Sequence, residues 1–269
     1  MRKALWILAV LVLSRRGLAA EVTKTARLTQ DASRPFAIEN LAGAMHVSAS
    51  SGPTAEVVAT LHAESPAVLE GMGLEATTDD KGRPSLRVRY PRAEGRIRYP
   101  REGSGSSDLK YDGHRVRVSN DSGVVAWADV EVRLPRNVSG AMIKNGVGGL
   151  SAQGVSGTIT FDTASGDITV SDVEGDILAD TGSGDVKASN LRGRFKCDTG
   201  SGDCEVTGFR GDTLSLDTGS GSLRAQDVDT DRLSADTGSG DVEMEATGAR
   251  LQSVKADTGS GDVVLEPAP

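Results

Sequence analysis

One heptapeptide theme recurs through the second half of the chain and limits what it can fold into. Its copies read DTASGDI, DTGSGDV, DTGSGDC, DTGSGSL, DTGSGDV and DTGSGDV, and they begin at Asp162, Asp180, Asp198, Asp217, Asp236 and Asp257. Successive copies begin 18, 18, 19, 19 and 21 residues apart, and a fainter copy, KNGVGGL, begins at Lys144, 18 residues before the first. A period of this length is typical of repeat architectures, in which each unit packs on its sequence neighbours.

The residues on both sides of each copy predict strands. The pattern is apolar, any residue, apolar, then the turn, then apolar, any residue, apolar. It runs from Ile159 and Phe161 in the first repeat to Val263 and Leu265 in the last. A period of two with one apolar face is the pattern of a β-strand, and no helix would satisfy it.

Equal repeat length and uniform polarity predict that equivalent strands stack in parallel, about 4.8 Å apart. The predicted fold class is therefore all-β, a two-sheet parallel β-solenoid with coils of 18 to 21 residues and a less regular N-terminal β cap. Small inward residues such as Ala179 and Ala235 predict a thin interior with no room for a ligand.

The domain organisation follows from where the repeats begin. Residues 141–269 hold the solenoid repeats, and residues 21–140 are expected to cap its first coil, because an open solenoid end recruits other strands. Within the cap we predict strands at 36–48, 56–63, 85–90, 114–119 and 124–134 and one short helix at 65–71. The stretch 91–113 is rich in arginine, glycine and proline and is predicted to be an exposed, mobile basic loop.

The first residues have the pattern of an export signal. Arg2 and Lys3 precede an apolar run of ten residues, 4–13, and small residues follow at 17–20. Ten apolar residues are too few for a membrane span, which needs about 20. We therefore predict a signal peptide over residues 1–20, cleaved after Ala19 or Ala20, with no transmembrane segment left afterwards. The mature chain is expected in the periplasm, on the cell surface or outside the cell.

Composition and charge exclude two classes of protein. Aromatic residues make up 3% of the chain and glycines number 33, which argues against an all-helical bundle. The net charge is −8. Residues 141–269 hold 10 Lys or Arg against 22 Asp or Glu, so the repeats supply the acidity. Nucleic acid is not expected as a partner, because it usually requires a basic footprint.

The sequence resembles a known family. The DTGSGDV repeats, the strand VEVRLP that ends at Pro135, the earlier segment AIENLAGAMHV and the export signal are similar to the "putative adhesin" domain of bacterial envelope proteins, a family of unknown function. The resemblance implies a β-solenoid-like fold and an envelope setting, and it brings no catalytic residues with it. The basic stretch 91–113 departs from the family pattern.

The repeat motif also matches two catalytic or ligand-binding motifs, and neither fits. DTGS occurs in aspartic proteases, where two distant aspartates face each other and share a proton, whereas these copies are predicted to stack on one corner. Glycine-rich phosphate loops lead into helices, whereas these lead into strands. The stacked threonines of the repeats resemble an ice-binding array, but they lie in turns. No cofactor or metal is predicted.

The three histidines, His46, His62 and His114, form no recognisable catalytic constellation and are interpreted as isolated surface or capping residues. We predict no catalytic residues and no enzyme activity. The predicted function is that of an exported envelope or cell-surface interaction module, with an unknown protein or polysaccharide partner. The alternative is a carbohydrate-active enzyme, a polysaccharide lyase or glycosidase, on a β-helix scaffold.

Cys197 and Cys204 flank one DTGSGD turn, and both fall on inward positions. A pair closing a short loop in an exported protein favours a disulfide. The alternative is two buried free thiols that act as small hydrophobic residues, like Ala179 and Val186 one coil earlier.

Two ladders of aspartates are predicted along the solenoid. The first holds the six repeat-turn aspartates that open the copies, and the second holds Asp167, Asp185, Asp203, Asp241 and Asp262, interrupted by Ser222. Carboxylates about 4.8 Å apart repel by roughly 1 kcal/mol in bulk water. We expect hydrogen bonds from the N–H groups of each aspartate's own turn to offset that repulsion. Calcium bound between coils is the alternative.

Overall fold

The computed structural model describes residues 13–14, 21–91, 95–100, 106–246 and 250–267. Up to residue 134 its elements are β1 (Leu13–Ser14), β2 (Glu21–Asp31), β3 (Phe36–Ala42), β4 (Met45–Ala49), β5 (Thr54–Ala63), α1 (Pro66–Glu70), β6 (Gly73–Thr78), β7 (Pro84–Arg89), β8 (Arg96–Arg98), β9 (Ser106–Tyr111), β10 (His114–Ser119) and β11 (Val124–Leu134). The remaining strands are β12 (Val138–Val147), β13 (Leu150–Gln153), β14 (Ser156–Ser165), β15 (Ile168–Ser171), β16 (Glu174–Thr181), β17 (Val186–Thr199), β18 (Cys204–Thr218), β19 (Leu223–Thr237), β20 (Val242–Ala246), β21 (Ser253–Thr258) and β22 (Val263–Pro267). The predicted export signal lies outside the described residues except for β1, which pairs antiparallel with β2.

Two ladders of parallel strands form a β-solenoid, as predicted. The first ladder stacks β3, β12, β14 and β16, continues through the C-terminal parts of β17, β18 and β19, and ends with β21. The second stacks β4, β13 and β15, continues through the N-terminal parts of β17, β18 and β19, and ends with β20 and β22. Both ladders keep the repeat in register, so that Asp162, Asp180 and Asp198 are direct neighbours.

The alternating pattern predicted from the sequence matches the burial of the strands. The inward residues of the repeats are buried from Ile159 to Met244, and the far corner is filled by Val173, Leu191, Phe209 and Val228. In the last coil Val254, Val263 and Leu265 are 39%, 42% and 51% exposed. No further coil covers these three side chains within the described residues.

Residues 36–49 form a coil of the solenoid, where we predicted a single strand of the cap. The segment turns at Gly43 and splits into β3 and β4, and Ile38 and Met45 pair in register with Ile143 and Leu150 of the next coil. The turn requires a glycine, because its φ is 121° and a side chain there would overlap the carbonyl oxygen of Ala128.

The cap closes this first coil with a different set of strands for each ladder. Strand β11 pairs in parallel with β4 and antiparallel with β5, which in turn pairs with β2. Strand β7 pairs in parallel with β3 and antiparallel with β6. The predicted short helix is α1, whose N-terminus is capped by the Ser65 hydroxyl. Among the described residues no helix is long and apolar enough to cross a membrane.

The stretch 91–113, predicted as a loop, contains two strands in its described part. Strand β9 pairs antiparallel with β10, and β8 pairs in parallel with β10 and with the start of β11. Ile97 of β8 is buried, so this part of the stretch packs into the protein and is not an exposed loop. Residues 92–94 and 101–105 of the predicted loop lie outside the described part of the chain.

Candidate functional site

The first aspartate ladder runs along the first strand ladder and is partly neutralised by lysines. Lys144 Nζ lies 3.6 Å from Asp162 Oδ2, and Lys196 Nζ lies 2.8 Å from Asp198 Oδ2. Burial raises the pKa of Asp180, and repulsion by Asp162 and Asp198 raises it further. Both burial and the neighbouring carboxylates therefore disfavour negative charge at Asp180.

The same ladder continues through Asp217, Asp236 and Asp257, which stay in register. All three are exposed, and Asp236 Oδ2 lies 3.4 Å from Lys255 Nζ of the following coil. Solvent can therefore screen this end of the ladder more than it screens Asp180.

The second aspartate ladder hydrogen-bonds between coils, which corrects the expectation that each carboxylate binds N–H groups of its own turn. The amide of Asp185 donates to Asp167 Oδ1 at 3.0 Å, and the amide of Asp203 donates to Asp185 Oδ1 at 3.0 Å. The amide of Ser222 continues the series to Asp203 at 2.7 Å. The parallel register explains the difference, because it sets each amide beside the carboxylate of the preceding coil.

The buried repeat threonines also hydrogen-bond between coils. Thr181, Thr199, Thr218 and Thr237 are about 2% exposed or less, and each Oγ1 donates to a glycine carbonyl of the preceding turn, at 2.9 to 3.1 Å. These threonines are therefore structural residues of the interior and are not available to an ice surface.

Two asparagines replace the threonines at the start of the solenoid. Asn145 Nδ2 donates to the carbonyl oxygens of Gly43 at 2.8 Å and Gly148 at 3.0 Å, and Asn40 Nδ2 donates to Ala128 at 3.0 Å. The Asn145 amide thus takes the carbonyl that Thr163 would otherwise reach. Thr163 Oγ1 is buried with no hydrogen-bond partner among the described residues.

The two cysteines lie opposite each other across the interior. Cys197 ends an inward pair of the first ladder and Cys204 begins one of the second, and both are fully buried. They are joined by a disulfide, with their Cα atoms 6.7 Å apart. The bridge closes the turn 198–203, which neighbouring coils already hold in register on both sides.

The fold brings two of the histidines into one surface network, which the sequence analysis missed. His46 Nδ1 lies 2.6 Å from Ser151 Oγ, and His62 Nε2 lies 3.1 Å from Asp129 Oδ2. Burial alone would raise the pKa of Asp129, but hydrogen bonds from His62 and from the Ala44 amide outweigh it and lower the pKa. No local sequence pattern could have revealed this network, because His46 and Ser151 are neighbours only through the pairing of their strands.

The contact between His46 and Ser151 has the composition of the nucleophile and base pair of a hydrolase. Catalysis by such a pair also requires donors placed around a developing oxyanion and a substrate held against the nucleophile. The second histidine of the network, His62, stacks on Trp127, with ring centroids 4.7 Å apart. The contacts link cap strands β5 and β11 to coil strands β4 and β13. We interpret them as structural.

A buried arginine organises the cap where it meets the first coil. Arg87 donates through Nε to Glu39 at 3.0 Å and through Nη1 to Asp112 at 2.6 Å. Its guanidinium lies 5.7 Å from the centre of the Tyr111 ring. Burial alone would lower the pKa of Arg87, but Glu39, together with Tyr111 and Asp112, outweighs burial and raises the pKa. A cavity of about 410 Å³ opens beside this arginine, and His114 lines it.

Within the described residues, no group of three or more His, Cys, Asp or Glu side chains is close enough to hold a metal ion. The aspartate ladders therefore bring carboxylates together in rows along the solenoid. They do not form a cluster around one point.

The family model described as Toastrack DUF4097 matches residues 104–267. No curated protein matches the chain. The match covers the repeats but does not identify the DTGSGDV motif as a family feature.

Three solved structures are similar in outline. A "putative cell adhesion protein" from Clostridium sporogenes is 9% identical, with a TM-score of 0.30, 91% of this chain covered and 100% of that chain. A "putative adhesin" from Parabacteroides merdae is 12% identical, with a TM-score of 0.29 and coverage of 92% and 96%. A "putative lipid binding protein" from Parabacteroides distasonis is 8% identical, with a TM-score of 0.25 and coverage of 92% and 97%. Similarities with sequence identities and TM-scores this low assign no function.

Proposed function

Since the chain belongs to the Toastrack DUF4097 family, whose model matches residues 104–267, we propose that it is a non-catalytic interaction module of the cell envelope or cell surface. In this proposal the protein is exported, and its partner is an envelope or extracellular protein or polysaccharide. Binding takes place on the outer faces of the solenoid.

The observation that carries this proposal is the contrast between a filled interior and a regular exterior. Phe161, Phe195 and Phe209 are buried between the ladders. Outside, the second ladder presents Lys187, Glu205, Arg224 and Glu243 at matching positions of successive coils. Chemical groups at fixed spacing suit an extended partner with its own repeat, because several weak contacts then act together.

A co-sedimentation experiment tests the proposal. Native protein purified from its own cells is titrated against isolated envelope of the same cells. We expect saturable binding that unlabelled protein displaces. Reversing the charge of the outer face with Lys187→Glu and Arg224→Glu together is expected to weaken binding at least tenfold. Arg136→Glu is the matched control, because Arg136 is exposed and lies outside both strand ladders.

Two results would contradict the proposal. Binding that is absent or does not saturate would exclude an envelope partner. An intact mass of the native protein that retains residues 1–20 would contradict export by a cleaved signal, since cleavage after Ala19 or Ala20 removes that segment.

A further inference from the structure

The cavity beside Arg87 has an apolar base and a rim of arginines. Leu41, Tyr90 and Ile97 line it and are buried, whereas Arg96 and Arg115 line it and are exposed. Its volume of about 410 Å³ lies within the range of about 300 to 1,000 Å³ that is usual for small-molecule sites. The cavity lies where β7, β8 and the β9–β10 hairpin of the cap meet β3 of the first coil, which contributes Leu41.

Three arginines of the cavity form no ion pair within the described residues. Asp112 is the acidic residue of the lining, and it is already paired with Arg87 at 2.6 Å. Within the described part of the chain, no carboxylate lies within ion-pair distance of Arg89, Arg96 or Arg115. This surplus of cations stands out in a protein with a net charge of −8.

The aromatic residues of the cavity offer apolar surface, because their hydroxyl groups are already engaged. The Tyr90 hydroxyl lies 2.8 Å from both Asn40 Oδ1 and the Ala42 carbonyl oxygen. The Tyr111 hydroxyl donates to the Val88 carbonyl oxygen at 2.6 Å. The two rings meet edge to face, with centroids 5.9 Å apart. A ligand at the base therefore meets ring carbons and aliphatic groups.

We propose that this cavity binds a small amphiphilic anion, in which an acyl or ring body carries a carboxylate or phosphate group. The body would lie over Leu41, Ile97 and Tyr90. The anionic group would lie at the rim, where guanidinium groups match both carboxylate and phosphate geometry. A bound anion would also relieve the repulsion among the arginines. This binding is independent of whether the outer faces of the solenoid bind an envelope partner.

Isothermal titration of the full chain with four probes below their micelle concentrations tests the proposal. Octanoate and octyl phosphate are expected to bind saturably at one site, and the tighter of the two identifies the preferred anionic group. Octyl glucoside keeps the chain but lacks the charge, and inorganic phosphate keeps the charge but lacks the chain. Both are expected to bind at least tenfold more weakly.

Variants locate the binding in the cavity. Arg96→Gln and Arg115→Gln together are expected to weaken binding of the anionic probes at least tenfold. Arg98→Gln is the matched control on the same strand, because Arg98 donates to the Asn120 carbonyl oxygen at 3.2 Å and does not line the cavity. Val116→Trp keeps every charge and fills the cavity, so it is expected to abolish binding. Circular dichroism verifies that each variant is folded.

Three outcomes would overturn the proposal. The first is that neither octanoate nor octyl phosphate binds. The second is that inorganic phosphate binds as tightly as octyl phosphate, which would make the rim a charge patch without an apolar subsite. The third is that Arg98→Gln weakens binding as much as the double rim variant, which would place the anion elsewhere.

Discussion

Thr181 Oγ1 donates a hydrogen bond of 3.1 Å to the carbonyl oxygen of Gly166, which belongs to the turn of the preceding coil. The same bond recurs between Thr199 and Gly184. The threonine of each DTGSG turn therefore links two coils by a hydrogen bond inside the solenoid. Thr163 is the exception, since Asn145 occupies its acceptor.

Replacing one bonded threonine by valine should destabilise the protein. Thr199→Val keeps the shape of the side chain but loses the bond to Gly184, and a net loss of about 1 kcal/mol in the free energy of unfolding is expected. Thr163→Val is the matched control and should be neutral or slightly stabilising, because it removes a buried hydroxyl without a partner. The midpoints of urea unfolding measure the stability of both variants, provided that the m-value is unchanged. Equal losses in the two variants would show that the bond to the preceding coil contributes nothing.

The strands of the repeats could be predicted because their signal is local. Inward and outward residues alternate within each unit, so Ile177 and Ala179 identify a buried face without any knowledge of neighbours. The place of residues 36–49 could not be predicted in this way. Their turn, ENLAGAM, lacks the aspartates of the repeat, and their partners lie about a hundred residues further along the chain. Only the pairing of Met45 with Leu150 shows that they form a coil.

The raised pKa of Asp180 predicts that this side chain stabilises the folded protein less as the pH rises. The usual value of 3.8 is raised by burial and by Asp162 and Asp198, so the folded state holds this proton more tightly than the unfolded state. The contribution of Asp180 is therefore most favourable below pH 3.8 and is lost as the pH rises through the raised folded pKa. Asp180→Asn should raise the thermal midpoint at pH 7, with a smaller gain near pH 4.

Asp79 provides the opposite case as a control. Burial alone would raise its pKa, but hydrogen bonds from Arg83 and Lys81 outweigh it and lower the pKa. Its contribution is present above the unfolded pKa of about 3.8 and is lost as the pH falls through the lower folded value. Asp79→Asn should therefore lower the midpoint at pH 7. A lower midpoint for Asp180→Asn at pH 7 would contradict the repulsion described for the first ladder.

Calcium is not expected to be needed for folding. Lysines reach parts of the first aspartate ladder, and the second accepts backbone hydrogen bonds from the next coil. A chelator should therefore leave the thermal midpoint unchanged. A calcium concentration about 100-fold above a dissociation constant would add about 2.7 kcal/mol, or roughly 5 °C for a chain of this size. A rise of that order with millimolar calcium would make the ladders a metal site.

Loss of the bridge between Cys197 and Cys204 should be tolerated. The two residues are separated by 7 positions, and a loop this short contributes less than the roughly 3 kcal/mol expected for a 15-residue loop. A variant with alanine at both positions should therefore fold, with a lower thermal midpoint than the original protein. Thiol labelling of the denatured, non-reduced protein should modify neither cysteine, and modification of both would show that they are free thiols.

The surface features were less accessible to sequence analysis than the repeats. The contact of His46 with Ser151 depends on register between segments that are far apart in sequence, and the cavity rim formed by Arg96 and Arg115 depends on the pairing of β8 with β10. In sequence Arg96 belongs to the stretch 91–113, which is predicted as a loop because prolines and glycines dominate its pattern, whereas Arg115 lies in the predicted strand 114–119. Their alternation with Ile97 and Val116 becomes meaningful only once β8 and β10 pair.

Whether the solenoid performs chemistry is the central question, and one assay answers it most directly. Full-length protein is incubated with a panel of cell-wall and plant polysaccharides, and new reducing ends and unsaturated products are measured against buffer. A non-catalytic module predicts no turnover above the buffer rate, including for any polysaccharide that the protein binds. Turnover that a single carboxylate substitution abolishes would contradict this account and would establish a carbohydrate-active enzyme on the same scaffold.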